Sequence, residues 1–409
     1  MQDEFVAGQW IECRDCGLLQ ILPAGLAGHS RHCCRCQSSF GRGAFANDAA
    51  LALIATALIL FALANLFPLM AIKVAGRGQS VHLVSAVTGL VDHDYAPLAS
   101  FVFLIAILAP LAQTALLGYV LMRVRGPARD PHLALLLRIA DRMRPWAMLD
   151  VFLIGALVAV TKLHDMAAVE IDVGFWALGL LVATLAVIDM TVDRHFLWDQ
   201  VSPPAPLEAE PRQEAWLGCD HCGLVQKVAG HCRRCGASLQ HRKPDSLNRT
   251  AALTATGYVL YLPANLYPVL TVISFGRGSS ATIMGGVVEL AKHDDWPLAV
   301  VVFAASVAVP LLKLLGLSWL LISAVRRRHP GLFGRTRLYR LIELVSRWSA
   351  VDIFVAALLT ALVALGNLAT IEPGLGVLAF GAVVFVTMLA TDCFDPRLMW
   401  DAAGANDVR

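Results

Sequence analysis

Eight long apolar runs constrain this chain more than any other feature. They lie at roughly 49–70, 97–122, 146–163, 174–192, 250–270, 297–325, 348–366 and 374–392. A helix needs about 20 apolar residues to cross hydrocarbon, and most of these runs supply them. The third is the shortest and carries Asp150. Only 16% of the residues are charged, against about 25% in soluble domains. The expected fold is therefore an all-α polytopic membrane protein. There is no broad basic face, so nucleic acid is not an expected partner. Residues 1–47 are polar and cysteine-rich, unlike a cleaved leader, so the first run should remain as a membrane anchor.

The loops sort by charge. The 123–144 loop holds Arg123, Arg125, Arg129, Arg138, Arg142 and Arg144. The 326–347 loop is richer still, with Arg326, Arg327, Arg328, Arg335, Arg337, Arg340 and Arg347. The alternate loops carry little beyond Lys73, Arg77, Arg277 and Lys292. The positive-inside rule then puts both termini in the cytoplasm. Two stretches of the basic loops, Leu133 to Arg144 and Arg337 to Arg347, have apolar residues at helical spacing. They read either as helices in the membrane interface or as extensions of the next span.

The chain is also a duplication. Ala64-Asn65-Leu66-Phe67-Pro68 returns as Ala264-Asn265-Leu266-Tyr267-Pro268, and Gly76-Arg77-Gly78 returns 200 positions later. His93-Asp94 matches His293-Asp294, and Pro110 matches Pro310. Trp146, Asp150 and Phe152 match Trp348, Asp352 and Phe354 at an offset of 202, as Trp198-Asp199 matches Trp400-Asp401. Each half has an even number of runs, so the repeat is parallel rather than inverted. The expected division is a first ribbon at 1–47, a first four-helix unit at 48–200, a linker at 201–215, a second ribbon at 216–245, a second four-helix unit at 246–400 and a tail at 401–409.

Each ribbon is defined by two C-x-x-C pairs: Cys13, Cys16, Cys33 and Cys36 in the first, Cys219, Cys222, Cys232 and Cys235 in the second. Four thiolates on two facing knuckles make a tetrahedral, rubredoxin-like site of the structural zinc type. In a reducing cytoplasm such pairs favour metal over disulfides. Zn2+ is the expected cofactor at both sites, with iron the alternative for the same ligands. Cys34 is a spare thiol, and His29, His32, His221 and His231 are not needed as ligands.

Ionisable groups inside spans mark function by default. Lys313 falls in the sixth run, where the first copy has Gln113; Asp352 falls in the seventh, with Asp150 its counterpart. Ser349 shares a helical face with Asp352, Ser306 shares one with Lys313, and Thr387 lies in the eighth run. These residues make either a polar track, able to carry protons or open around a lipid headgroup, or a structural ion pair that fixes helix register. Hydroxyls in such places often bond back to their own helix. Asn-x-x-Pro at 65–68 and 265–268 reads as a helix terminator. Asp94 and Asp294 read as caps of proline-started helices. No nucleophile elbow, P-loop or H-E-x-x-H motif occurs, so no enzymatic activity is expected.

The duplicated ribbon-plus-four-spans layout, A-N-L-[FY]-P and the closing Asp395-Pro-Arg397-Leu-Met-Trp400 resemble the paraquat-inducible protein A family, including its lipophilic envelope-spanning tunnel protein A branch. The first copy departs at its close, reading Asp193-Arg-His-Phe-Leu-Trp198. The resemblance implies a Gram-negative inner-membrane component that loads or unloads phospholipid for a mammalian-cell-entry (MCE) tunnel protein in the periplasm. It also implies a polar, proton-coupled network in the C-terminal unit, here Lys313, Asp352, Ser306, Ser349 and Thr387, with Asp150 the first-copy equivalent. Two other readings stay open: a membrane redox protein with iron ribbons, and a zinc-ribbon scaffold without transport.

Overall fold

Among the described residues, seven helices are long and apolar enough to cross a membrane: Asp48–Leu66, Ala96–Val124, Leu133–Thr161, Val173–Thr191, Ala299–Val325, Leu332–Leu362 and Leu375–Cys393. They were found in a computed structural model that describes residues 9–22, 30–42, 47–74, 77–126, 132–164, 168–203, 216–274, 277–292, 296–326, 331–362 and 369–404. The fifth expected run forms the Ser246–Leu266 helix, which is long enough at 21 residues. Arg249, its threonines and its tyrosines leave it less apolar than the others.

The first and fifth runs form helices that end earlier than the sequence predicts. They end at Leu66 and Leu266, and strands begin at Met70 and Leu270. Asn-x-x-Pro is the reason. Asn65 Nδ2 donates to Phe61 O at 2.8 Å and Asn265 Nδ2 to Tyr261 O at 2.9 Å, holding the last turn as the proline stops it. Met70–Val74 then pairs antiparallel with Arg77–Val81 and, on its other edge, with Ala168–Ile171. Leu270–Ser274 does the same with Arg277–Ala281 and Ala369–Pro373. These two three-stranded sheets correct the all-α expectation. The sheet seats the next span closely: a Cβ at Gly174 would lie 2.5 Å from the carbonyls of Phe67 and Pro68.

The two amphipathic stretches lead into the spans that follow them. Leu133–Met143 passes through a short turn at Arg144–Trp146 into Leu149–His164, and Leu332–Trp348 breaks only at residues 349–350 before Val351–Leu362. Thr336, Tyr339, Ile342 and Ser346 are buried, so the second of these helices belongs to the bundle rather than to an interface.

Pro110 and Pro310 each follow a π-helical turn, at Leu104–Leu108 and Ala304–Ala308. Proline has no N–H to give the carbonyl four residues back, and the widened turn absorbs the gap. In the second copy that carbonyl belongs to Ser306.

The cap expected from Asp94 is not formed. The Ala96–Phe103 helix has no side-chain cap, and Asp94 instead takes a left-handed φ of 64° after the Ser85–Asp92 helix. His93 Nδ1 lies 2.7 Å from Gly89 O on that same helix, and His293 and Asp294 lie outside the described residues.

The halves meet through equivalent helices. Phe152 and Phe354, one repeat apart, stack edge to face at 5.1 Å. The first half also leans over the second. Gln79 Nε2 donates to Ala361 O at 3.0 Å, Gly89 abuts Ala361, and the Tyr95 hydroxyl donates to Pro373 O.

Candidate metal centres and buried polar network

Short hairpins carry the cysteines: Gln9–Glu12 with Leu19–Leu22, Ser30–His32 with Ser39–Arg42, and Trp216–Gly218 with Val225–Lys227. After each knuckle the chain needs a left-handed residue. Gly17, Gly223 and Gly236 fill three such places at φ 72°, 73° and 69°, and Gln37 the fourth at 58°. Cys13 and Cys36 sulfurs stand 3.4 Å apart, Cys16 and Cys33 3.6 Å, and both pairs of the second cluster 3.5 Å. Four thiolates bound tetrahedrally at the Zn–S distance would stand about 3.8 Å apart, so little movement is needed to hold a cation. All eight cysteines are buried, and within each cluster the four sulfurs lie within 4.8 Å of one another. Hydrogen bonds from Cys13 and Cys219, and then from the other cluster cysteines, hold the Cys33 and Cys232 thiols well below the ordinary range. Cys34 is exposed, outside the cluster, with its thiol 3.1 Å from Gln20 Oε1.

Each ribbon bonds its own half, through Arg31 to Asp193 at 2.9 Å and Arg242 to Asp401 at 2.7 Å, and each also reaches across to the other half. The first ribbon sits on the second half: Arg340 donates from Nε to Asp15 at 2.6 Å and from Nη2 to Cys36 O at 3.1 Å and Cys36 Sγ at 3.3 Å. Arg35 lies over the Trp400 ring, which packs with the first cluster. The second ribbon sits on the first half: Arg138 donates to Cys235 O at 3.1 Å, and Arg234 to Asp199 at 2.7 Å. Arg138 and Arg340 are repeat equivalents, as are Arg35 and Arg234.

The ribbons also join each other. Gly218 N donates to Glu12 at 2.6 Å, and Arg14 to His221 O at 3.2 Å. At the junction Arg397, 2% exposed, bonds both oxygens of Asp395 at 3.0 Å and both of Asp220 at 3.1 Å, with Glu12 3.6 Å away. Burial opposes the charge on Asp395, but the Arg397 hydrogen bonds outweigh it and hold its carboxyl below the usual range.

His195 is the first-copy equivalent of Arg397, and its ring packs against Gly223. Burial, and then Arg14, Arg31 and Arg234, push its imidazole from the ordinary 6.5 down to about 4. The unfolded chain therefore binds more protons than the folded one between those values, and stability falls as pH drops through that window. Thermal stability measured from pH 7 to pH 4 is expected to decline less steeply in His195→Gln; an unchanged slope would count against this reading.

In the second-half bundle, Lys313 is 2% exposed, and its Nζ has no hydrogen-bond partner among the described residues; Ser349 Oγ has none either. Each such orphan costs about 1–3 kcal/mol. Packing sets the depths. A Cβ at Gly257 would meet Leu314 at 2.8 Å and Thr387 at 3.3 Å, and one at Gly316 would meet Ile342 at 2.7 Å. Counting one turn from these contacts puts Lys313 level with Ser346. Ser346 lies 3.3 Å from the Thr391 hydroxyl, one turn from Ser349 and Thr387. Buried Ser306 lies on the π turn that packs against the Val351–Leu362 helix, where Asp352 is half-buried. Thr387 bonds back to Val383 O at 2.7 Å. Five of the six expected network residues thus share one bundle. Asp150 does not; it lies in the first half, half exposed, 3.7 Å from Arg347.

The family model for paraquat-inducible protein A matches residues 48–202 and 247–404. The chain belongs to the paraquat-inducible protein A family. It is 32% identical to the Escherichia coli K12 intermembrane transport protein PqiA, over 97% of this chain and 96% of that protein. It is 30% identical to the lipophilic envelope-spanning tunnel protein A of the same organism, over 100% and 95%. A probable intermembrane transport protein of Haemophilus influenzae is 27% identical, over 95% of each chain. No solved structure matches the chain.

This member of the paraquat-inducible protein A family buries polar groups in its second half at several positions where the first half differs. Ser306, Lys313, Ser349 and Thr387 correspond to Ala106, Gln113, Ala147 and Leu185. Arg138, Arg340 and Arg397 stand out in the sequence only as loop and motif arginines, and their seats under the ribbons emerge from packing. Aligning the two copies position by position finds the first two at once, as a matched pair of arginines in otherwise divergent loops.

Proposed function

We propose that this protein is a multi-pass inner-membrane component of a lipid-trafficking system, with both ribbons and both termini in the cytoplasm and Ser246–Leu266 as its eighth span. It loads or unloads phospholipid for a periplasmic MCE tunnel protein, with proton coupling through the second half. The relatives, an intermembrane transport protein and an envelope-spanning tunnel protein, support intermembrane transport rather than enzymatic activity. The observation that carries the mechanism is Lys313, a buried amine without a hydrogen-bond partner among the described residues, in a bundle whose twin has a neutral glutamine there. A charge so placed is costly unless it is used. Zn2+ in the two clusters holds the ribbons as structural braces.

Complementation tests the reading. In a strain lacking its own copy, wild-type protein and Gln113→Ala are expected to restore envelope integrity, whereas Lys313→Ala and Asp352→Ala are expected to fail at normal protein levels. If both second-half variants restore growth, the mechanism is wrong. The redox alternative requires iron: two zinc ions per chain and no visible absorbance would dismiss it.

A further inference from the structure

The two cysteine clusters have matched frames and unmatched neighbours. In each, the last cysteine stands beside a thiol of the first knuckle: Cys36 beside Cys13 at 3.4 Å, Cys235 beside Cys219 at 3.5 Å. In each, an arginine from the membrane unit reaches that last cysteine, and the two arginines end differently. Arg340 donates from Nη2 to the Cys36 sulfur at 3.3 Å as well as to its carbonyl at 3.1 Å. Arg138 donates from Nη1 to the Cys235 carbonyl at 3.1 Å, and among the described residues it has no bond to the sulfur.

One position accounts for the difference. Asp15, inside the first knuckle, takes Arg340 Nε at 2.6 Å and so holds the other end of the guanidinium over Cys36. The matching place between Cys219 and Cys222 is filled by His221, which offers Arg138 no carboxylate. Cover differs in the same sense. The four cysteines of the first cluster are at most 1% exposed, whereas Cys235 is 6% exposed, the most open of the eight.

We propose that the first cluster is a protected brace, and that the second is a modification site where peroxides and other thiol-directed electrophiles react first, at Cys235, and release its metal. Thiolates are the attacking species, and a charge-assisted hydrogen bond to sulfur draws off the electron density that attack uses. Against hydrogen peroxide, the Cys235 thiolate attacks one oxygen. An S–O bond forms, the O–O bond breaks, and the departing hydroxide takes a proton to become water. The Cys219 thiolate then attacks the Cys235 sulfur, forming the disulfide and expelling a second hydroxide, which is protonated in turn. Two thiolates lose two electrons, the peroxide gains them, and the cation leaves a site with two ligands spent. The proposal rests on the reading of both clusters as zinc sites.

Metal release from the full chain in detergent tests it without any transport readout. The chain carries Cys34→Ser and Cys393→Ser, so that only cluster thiols are present, and is loaded with zinc to two equivalents. Hydrogen peroxide is added, released zinc is followed with a chromogenic chelator, and disulfides are located by peptide mass spectrometry. Two phases of one equivalent each are expected, the fast one accompanied by disulfides within the second ribbon and about tenfold faster than the slow one, the scale on which outer-shell partners act. Arg340→Leu is expected to speed the slow phase toward the fast one. His221→Asp, which supplies the missing carboxylate, is expected to slow the fast phase, and it decides the matter if the Arg340→Leu chain does not hold its first zinc. Release from the first cluster first, or a fast phase that His221→Asp leaves unchanged, overturns the proposal. A chain that never binds two zinc ions overturns the zinc reading and this proposal together; two bound ions lost in a single phase overturn this proposal alone.

Discussion

Cys36→Ala is expected to lose one of two bound metal ions and to loosen the first ribbon from the second half of the protein. Structural zinc sites contribute about 10–16 kcal/mol of apparent folding free energy in small modules. Removing one of four thiolates leaves a buried, incomplete shell. The same residue is where Arg340 lands, on its carbonyl and its sulfur, so metal loss and undocking are one event. Metal content by mass spectrometry should fall from two equivalents to one, and proteolysis should then cut near the first ribbon. Cys34→Ser, outside the cluster, should keep both ions. A Cys36→Ala protein with two equivalents would show that another group completes the site.

Arg397→Met should be the most damaging single change at the ribbon junction. It leaves the buried Asp395 without its guanidinium and removes the charge between Asp220 and Glu12. Breaking a buried pair by removing one partner costs about 3–5 kcal/mol, because the remaining charge stays buried. The thermal midpoint in detergent should drop, and the drop should be greatest near neutral pH. Asp395, held below its ordinary range in the native protein, contributes stability that is present above that range and lost as pH falls through it. Arg397→Lys keeps a charge but not the paired contacts, and should fall between. A midpoint for Arg397→Met equal to wild type would mean that the junction does not hold the ribbons.

The apolar runs and C-x-x-C pairs were legible because each depends on a short-range pattern. Helix length tracks hydrocarbon thickness, and thiolate geometry tracks local turns. The two three-stranded sheets were not legible. Their strands are four or five residues long, and Ala168–Ile171 finds Met70–Val74 across nearly a hundred positions. Gly76-Arg77-Gly78 was visible as a repeat element, but nothing local announced the third strand. Lys313 stood out because a charge in an apolar run is conspicuous. Thr254 and Ser323 did not, because a hydroxyl in a helix has a harmless local explanation, and only packing shows that these two have no hydrogen-bond partner among the described residues. Ribbon placement was beyond reach, since two equal seats were available and no local signal chooses between them.

Crosswise docking makes this chain a domain exchange written into one polypeptide. A unit expressed alone would hold a ribbon whose arginine seat belongs to the absent twin, and an arginine whose ribbon is missing. Two copies of one unit could satisfy each other by trading ribbons, as a swapped homodimer does. Fusion of such a pair would preserve the exchange while freeing each half to diverge. That freedom is what lets one half bury Lys313 where its twin keeps Gln113.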